Sequence, residues 1–302
     1  MSTSYRTATL LTAALGAVAA GPASAETLLA LTTENSIAVV DTDAPNVSLD
    51  GGFVRGLEAN ESLLGIDYRA ADEQVYLLGS FDNLYTLDVD TNQASLVGNF
   101  GSPSLTGTSF GFDFNPAFME GEFARIVSDT DDNRVISGDT GQYLVPDATD
   151  LFYADGDPNA GSDANIAGIA YTNSLGVPDT TQQFAIDATL GVLATLANNA
   201  GTLETVGSLG VNNAALTNEL GLDISGATGV AYAALQTGPN SQLYTVDLDT
   251  GAATAVGRIA SGDLIRSITV VPEGEAPEVV PTPGAAALGV VGLALLNRRR
   301  RG

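Results

Sequence analysis

Two stretches of the chain have nearly the same order of apolar and polar positions. Residues 64–98 read LGIDYRAADEQVYLLGSFDNLYTLDVDTNQASLVG, and residues 220–257 read LGLDISGATGVAYAALQTGPNSQLYTVDLDTGAATAVG. In each stretch, short apolar runs rich in β-forming residues are separated by Asp, Asn and Gly, and neither shows the roughly 3.6-residue period of a helix. The pattern predicts units of about four β-strands, which is the size of one blade of a β-propeller.

The opening run of this unit recurs along the chain. Its second position is occupied by Gly65, Gly111, Gly168, Gly221 and, in a looser copy, Ser267, at spacings of 46, 57, 53 and 46 residues. Further strands follow the opening runs at 64, 110, 167 and 220. In the two clearest units the pattern predicts them at 75–78, 84–89, 95–97, 230–235, 243–248 and 254–256. Asp- and Asn-containing turns connect them, because these residues tolerate left-handed backbone and close turns with their side chains.

The two ends of the repeat region complement each other. The copy at 266–271 has an opening strand and nothing repeat-like after it, whereas 28–31, 37–40 and 47–49 fit the second, third and fourth strands of a blade. Joining them completes a fifth blade and covers the strand edges that a linear stack leaves exposed. We therefore predict an all-β fold, a β-propeller of five four-stranded blades closed by strand sharing between the termini. Six blades or an open β-solenoid remain alternatives, since the middle repeats are irregular.

The N-terminal segment has the layout of a secretory signal peptide. A weakly basic start at Arg6 is followed by an apolar run and by Ala23-Ser24-Ala25, a small-residue cleavage pattern. This predicts a signal peptide at 1–25, a propeller domain at 26–272 and an acidic, Pro-containing linker at 273–284.

The C-terminal segment, 285–302, follows Pro281-Thr282-Pro283 and consists of an apolar run and then Arg298 to Arg301. A Pro-rich hinge, a short apolar run and a basic end resemble the bacterial PEP-CTERM sorting signals, with Pro-Thr-Pro in place of Pro-Glu-Pro. The resemblance implies a transient membrane anchor, processing by an exosortase-type enzyme, and delivery to the cell surface or extracellular matrix.

Composition excludes several functions. All 36 acidic residues and only six arginines lie between 26 and 280, and the chain has no Lys, His or Cys. So negative a surface disfavours nucleic acid and anionic lipid as partners. Without His, Cys or Lys there is no Ser-His-Asp triad, thiol nucleophile, His or Cys zinc site, Schiff base or Walker-type phosphate loop. Carboxylates and hydroxyls remain as the groups that could carry chemistry.

Four segments together resemble one bacterial exported family. They are Ser109 to Pro116, Arg125 to Asp129, Ala154 to Gly161 and Ala170 to Asn173. The family is known only as domain of unknown function 4394, and the resemblance covers roughly residues 28–271. It implies a secreted, propeller-like protein and implies no activity.

Three aspartates, Asp67, Asp113 and Asp223, occupy the same position of the opening strand in three repeats. In a propeller this strand lies nearest the axis, so the three carboxylates are expected to converge on the central channel. Such a trio suits a hard cation such as Ca²⁺, or it could supply the two carboxyls of a glycoside hydrolase. The structural alternative is that each Asp caps backbone N–H groups within its own blade.

A second candidate is the loop with Asp155, Asp157 and Asn159, where oxygen-bearing side chains alternate as at the start of a calcium loop. It departs from the EF-hand pattern, because Ala160 stands where the turn glycine belongs and Ile166 where the last Glu belongs. An irregular Ca²⁺ site or a plain polar loop are the two interpretations. The acidic segment 129–133 is interpreted as a solvated hairpin.

These observations predict an exported, non-catalytic β-propeller that acts as a binding or structural module at the cell surface or in the matrix. Its expected partners are the processing enzyme at the tail and an extracellular polysaccharide or surface protein. The alternative is a carboxylate- or Ca²⁺-dependent hydrolase, of glycosidase or lactonase type, that uses the central channel. Fold alone does not choose between them.

Overall fold

A computed structural model describes residues 25–47, 51–146, 148–261 and 264–272. In these residues the chain forms β-strands and three short 3-10 turns, at Met119–Gly121, Asn198–Ala200 and Asn213–Ala215, and no α-helix. No helix of this part of the chain is long and apolar enough to cross a membrane. The predicted linker and sorting tail lie outside the described residues, as does the signal peptide apart from Ala25.

The strands follow one another along the chain with short connections. In order they are β1 (Thr27–Thr32), β2 (Ser36–Asp41), β3 (Gly51–Phe53), β4 (Leu63–Arg69), β5 (Gln74–Gly79), β6 (Asn83–Asp88), β7 (Gln93–Asn99), β8 (Phe110–Phe114), β9 (Phe123–Ser128), β10 (Asn133–Ser137), β11 (Tyr143–Val145), β12 (Phe152–Tyr153), β13 (Ile166–Tyr171), β14 (Gln183–Asp187), β15 (Val192–Leu196), β16 (Thr202–Ser208), β17 (Gly221–Ile224), β18 (Ala231–Leu235), β19 (Gln242–Val246), β20 (Ala253–Arg258) and β21 (Ile265–Val271).

These strands form five separate sheets, which are the blades of a β-propeller. Blade 1 has the order β21-β1-β2-β3, blade 2 β4-β5-β6-β7, blade 3 β8-β9-β10-β11, blade 4 β13-β14-β15-β16-β12 and blade 5 β17-β18-β19-β20. The first strand of each order contacts its counterparts in both neighbouring blades, so β4, β8, β13, β17 and β21 form a closed inner ring. The prediction of five blades is confirmed. Blade 4 departs from four strands, because short β12 adds to its edge parallel to β16.

Strand sharing closes the ring as predicted. The last strand, β21, pairs antiparallel with β1, with Leu29 opposite Thr269. The outer strand of this blade differs from the prediction at 47–49: Val47 lies in a bend, 48–50 are not described, and β3 begins at Gly51. A Cβ atom at Gly51 would lie 2.2 Å from the carbonyl oxygen of Ile37, so the pairing of β3 with β2 requires glycine.

The hydrophobic core is divided into five clusters, one between each pair of neighbouring blades. Successive residues of one strand therefore serve different clusters: Leu77 of β5 packs toward blade 1, and Leu78 packs toward blade 3. Because both faces of a blade are buried, the strands read as nearly continuous apolar runs. This packing holds the inner strands around the channel.

Candidate metal centre

The inner strands approach one another closely at the recurring glycine. A Cβ atom on Gly111 would lie 2.9 Å from the backbone nitrogen of Ile169 in blade 4. One on Gly221 would lie 2.6 Å from the nitrogen of Ile268 in blade 1. Contacts this short do not occur for a real Cβ, so glycine is required for the narrow ring. The residue two positions later points to the same side of its strand and meets the same neighbour.

That later position is occupied by Asp67, Asp113 and Asp223, and the structure brings the three together. One carboxylate oxygen from each lies within 4.8 Å of the others. The side chains are buried, with 5%, 3% and 5% of their surfaces exposed. The expected convergence of the trio on the axis is thus present in the geometry, and metal binding by it stays a prediction.

Each of these carboxylates also accepts a hydrogen bond from the next blade. The backbone N–H of Phe114 donates to Asp67 (2.8 Å), that of Tyr171 to Asp113 (3.3 Å) and that of Val270 to Asp223 (2.6 Å). In every case the donor follows the equivalent position of the neighbouring inner strand. The carboxylates therefore connect adjacent blades.

The sequence left open a structural role in which each Asp caps backbone N–H groups within its own blade. This interpretation describes only part of the observed hydrogen bonds. Asp67 and Asp223 do accept the N–H of their own following residues, Tyr68 (2.8 Å) and Ile224 (2.6 Å). Their second oxygens reach the next blade. The recurring Asp is thus a blade-to-blade connector, which a repeat pattern read one unit at a time does not indicate.

The other two inner strands carry Ala170 and Thr269 at this position. The Thr269 hydroxyl donates to Asp67 (3.1 Å) and accepts the N–H of Tyr68 (3.0 Å), so it continues the ring of connections. Ala170 has no acceptor and leaves one gap. Thr269 belongs to the site although the sequence analysis did not select it. The aligned copy at 266–270 was the signal that could have found it.

Burial raises the pKa of all three carboxyls, and repulsion from neighbouring carboxylates, which for Asp223 comes from Glu26, adds to the rise. Desolvation is the main cause for each. The charge of Asp223 further raises the pKa of Asp67, and both charges raise that of Asp113. Backbone hydrogen bonds oppose the rise, and the pKa of Asp223 reaches about 6. No arginine of the described residues forms an ion pair with the trio. A buried acidic cluster of this kind is neutralised by protons or by a cation.

A cavity of about 350 Å³ opens onto two of the three carboxylates. Asp67, Asp223 and Thr269 line it, and Glu26 lies at its wall. The Glu26 carboxylate accepts hydrogen bonds from Ser225, Thr228 (3.0 Å) and Tyr232 (2.9 Å), so it connects the N-terminal strand to blade 5 beside the channel. Sequence reasoning missed Glu26, because nothing in the repeat places it near the axis.

The second candidate, Asp155, Asp157 and Asn159, lies in an outer loop of blade 4. Asp157 accepts the N–H (2.6 Å) and the hydroxyl (2.8 Å) of Thr205, and the N–H of Asn159 (2.8 Å). Desolvation raises its pKa, but these hydrogen bonds together outweigh it and lower the pKa below its usual value. Asp157 thereby attaches the loop to β16, while Asp155 is exposed. A calcium site here stays a prediction.

The hairpin at 129–133 is less solvated than expected. Asp131 has a positive φ of 69°, and its Oδ1 is buried without a hydrogen-bond partner. Burial, followed by the charges of Asp163 and Asp150, raises its pKa to about 6. The sequence shows that acidic residues are frequent in this region. It does not show that Asp163 and Asp150 lie near Asp131, because that depends on how blades 3 and 4 pack together.

A comparison with protein families matches residues 36–269 to a family described as domain of unknown function (DUF4394). These residues span the ring from β2 to β21 and include all three channel aspartates. No curated protein matches the chain.

Proposed function

The chain belongs to the DUF4394 family, and from that premise we propose that it is an exported, non-catalytic propeller that holds Ca²⁺ in its channel. It acts as a binding or structural module at the cell surface or in the extracellular matrix. The observation that carries the calcium proposal is the trio: three buried carboxylates with oxygens within 4.8 Å of one another and no arginine partner among the described residues.

The donor set fits a hard cation. Only oxygens converge at the site, and Ca²⁺ takes about six to eight oxygen ligands, including water. A carboxylate oxygen that accepts one N–H keeps a second lone pair, so the connecting hydrogen bonds do not prevent coordination. Asp67, Asp113 and Asp223 would hold the ion, and the cavity beside Asp67 and Asp223 leaves room for water ligands.

A cation here would stabilise the closed ring. Asp67 belongs to blade 2, Asp113 to blade 3 and Asp223 to blade 5, and each carboxylate already contacts the following blade. Binding would replace repulsion between the three charges with attraction to a common ion. A propeller without disulfides, since the chain has no cysteine, would gain a central cross-link in this way.

The test is a thermal melt of the purified chain with chelator and then with Ca²⁺. Affinities of about 10⁻⁴–10⁻³ M are typical of extracellular calcium modules. At 10 mM Ca²⁺ the free energy of unfolding should then rise by about 1.4–2.7 kcal/mol, which corresponds to roughly 3–10 °C in melting temperature.

Asp113→Asn should strongly reduce this response, because it replaces one of the three charged ligands with a neutral amide. Asp249→Asn is the matched control, because it makes the same change on an exposed hairpin residue. The calcium proposal fails if the wild type does not respond to millimolar Ca²⁺, or if Asp113→Asn responds as strongly as the control.

The location rests on the two terminal segments. The signal-peptide pattern at 1–25 and the apolar, arginine-ended tail support export, a transient anchor and processing by an exosortase-type enzyme. Deletion of 281–302 should release the protein in soluble form into the periplasm or medium. Unchanged surface retention of the deleted chain, measured by cell fractionation, would contradict the sorting role and would leave the calcium proposal standing.

A hydrolase is the second candidate, and one observation favours it. Asp223, whose pKa of about 6 suits a general acid, lines a 350 Å³ cavity together with Asp67. Under this alternative, Asp67→Asn and Asp223→Asn should each abolish turnover of a glycoside or lactone substrate while the fold persists. No turnover of such a panel by the wild type, with Ca²⁺ present, would remove this candidate.

A further inference from the structure

A second cavity, of about 330 Å³, lies between blades 3 and 4, away from the trio's cavity. Its polar wall includes Arg125, Tyr171 and Asn199, and its apolar wall includes Phe118, Phe123 and Leu144. A size of a few hundred Å³ and a mainly apolar wall with a few fixed polar groups are typical of small-molecule sites.

Arg125 is the unusual residue of this cavity. Only 4% of its surface is exposed, yet no carboxylate of the described residues forms an ion pair with it. By contrast, Arg69, Arg134 and Arg266 each pair with an Asp or Glu. Buried charges in proteins are normally paired, and this chain offers 36 acidic residues as partners. The Arg125 guanidinium is therefore a buried positive charge that no carboxylate of the described residues contacts as an ion pair.

The guanidinium is held in place by neutral groups. Its Nε donates to the Tyr171 hydroxyl (3.1 Å), and its terminal nitrogens donate to the side-chain oxygens of Asn133 and Asn199 (2.6 Å for Asn199). Asp113 of β8 lies opposite Arg125 of β9. Its carboxylate accepts the backbone N–H of Tyr171 and forms no ion pair with the guanidinium. Arginine has five N–H donors, so each terminal nitrogen keeps one N–H for another acceptor. Two such donors suit the two oxygens of a carboxylate.

The rim of the cavity is apolar and open. Phe118 and Leu144 are 44% and 45% exposed, which is high for side chains of this kind. Burial of this surface favours a ligand with an apolar body, and a sugar chain rich in hydroxyls would leave it poorly covered. We propose that this cavity binds a small carboxylate with a compact apolar body, anchored by Arg125 and covered by Phe118 and Leu144. Binding of a carboxylate in this cavity does not require calcium in the channel.

The probes are phenylacetate and its uncharged analogue phenylacetamide, titrated calorimetrically into the full chain. We expect phenylacetate to bind at least about tenfold more tightly, because only the acid pairs with the buried guanidinium. Arg125→Gln should remove this preference. Equal binding of acid and amide, or binding of neither, would overturn the proposal.

Because Arg125 also supports its neighbours, Arg125→Gln could fail to fold, and a rim variant keeps the test decisive. Phe118→Ala should weaken phenylacetate binding at least about threefold by removing apolar cover. Phe81→Ala is its matched control, since Phe81 is 45% exposed and lies outside the cavity. Equal affinities of these two variants would also overturn the proposal.

Discussion

Replacement of Asp223 by Asn should remove a defined part of the pH dependence of stability of the calcium-free protein. Burial raises the pKa of Asp223 from 3.8 to about 6, and the N–H groups of Val270 and Ile224 offset only part of this effect. The folded protein therefore binds this proton more tightly than the unfolded chain does. Stability contributed by the protonated carboxyl is present in full below about pH 4 and is lost as the pH rises through about 6.

The size of the effect follows from the two pKa values. A rise from 3.8 to about 6 corresponds to about 3 kcal/mol in the free energy of unfolding at high pH. Of this, about 1.4 kcal/mol is lost between pH 5 and pH 8 when the two titration curves are integrated. For a chain of this size the loss corresponds to roughly 3–6 °C in melting temperature. Asn does not titrate, so the variant should lose at least this component, and removal of the Asp223 charge should also lower the pKa of Asp67 and Asp113.

The assay is a series of thermal melts from pH 5 to pH 8 with chelator present and with salt to screen long-range repulsion. Asp131, whose pKa is also about 6, titrates in both proteins and cancels from their difference if the two sites are independent. Asp249→Asn, an exposed control, should follow the wild type. If Asp223→Asn and the wild type change by the same amount between pH 5 and pH 8, the assignment of a raised pKa to this buried carboxyl is wrong.

Three further perturbations test the fold and the loop. Gly221→Ala should lower the free energy of unfolding by about 2 kcal/mol or more, because its Cβ would meet backbone atoms of blade 1; Gly238→Ala, with open space around it, should not. Equal denaturant midpoints for the two would refute the close approach. Asp157→Ala should speed hydrogen exchange in its own loop, and unchanged exchange would mean that its bonds to β16 do not hold the loop. Deletion of 265–302, which removes β21, should abolish the cooperative melt, whereas deletion of 273–302 should preserve it; equal melts would show that strand sharing does not hold the ring.

The blade number and the closure could be predicted because they depend on pattern alone. Each blade repeats the same order of apolar runs, and the halves missing at the two ends fit together as β21 and β1–β3. The details that differ depend on contacts the pattern does not contain. Paired glycines in a sequence suggest a turn, but Gly51 is the first residue of β3. Glycine is needed there because the backbone of Ile37 passes too close for a side chain. Likewise, two-residue β12 exists only through its parallel pairing with Thr202 and Leu203.

In the candidate site, too, the features set by the repeat pattern could be predicted and those set by contacts between blades could not. The shared position of Asp67, Asp113 and Asp223 in the repeat indicated that they would meet at the axis. Their hydrogen bonds to the following blade were not predicted, because a repeat describes one blade and these bonds join two. Glu26 was missed for the same reason: only the closed ring brings the N-terminal strand beside blade 5.

The most direct test of calcium binding in the channel is a crystal structure of the protein grown with Ca²⁺ and measured at a wavelength where calcium scatters anomalously. Calcium binding by the trio predicts one anomalous peak on the axis, about 2.3–2.6 Å from an oxygen of each of Asp67, Asp113 and Asp223. Well-ordered carboxylates at these positions with no anomalous peak between them would contradict it.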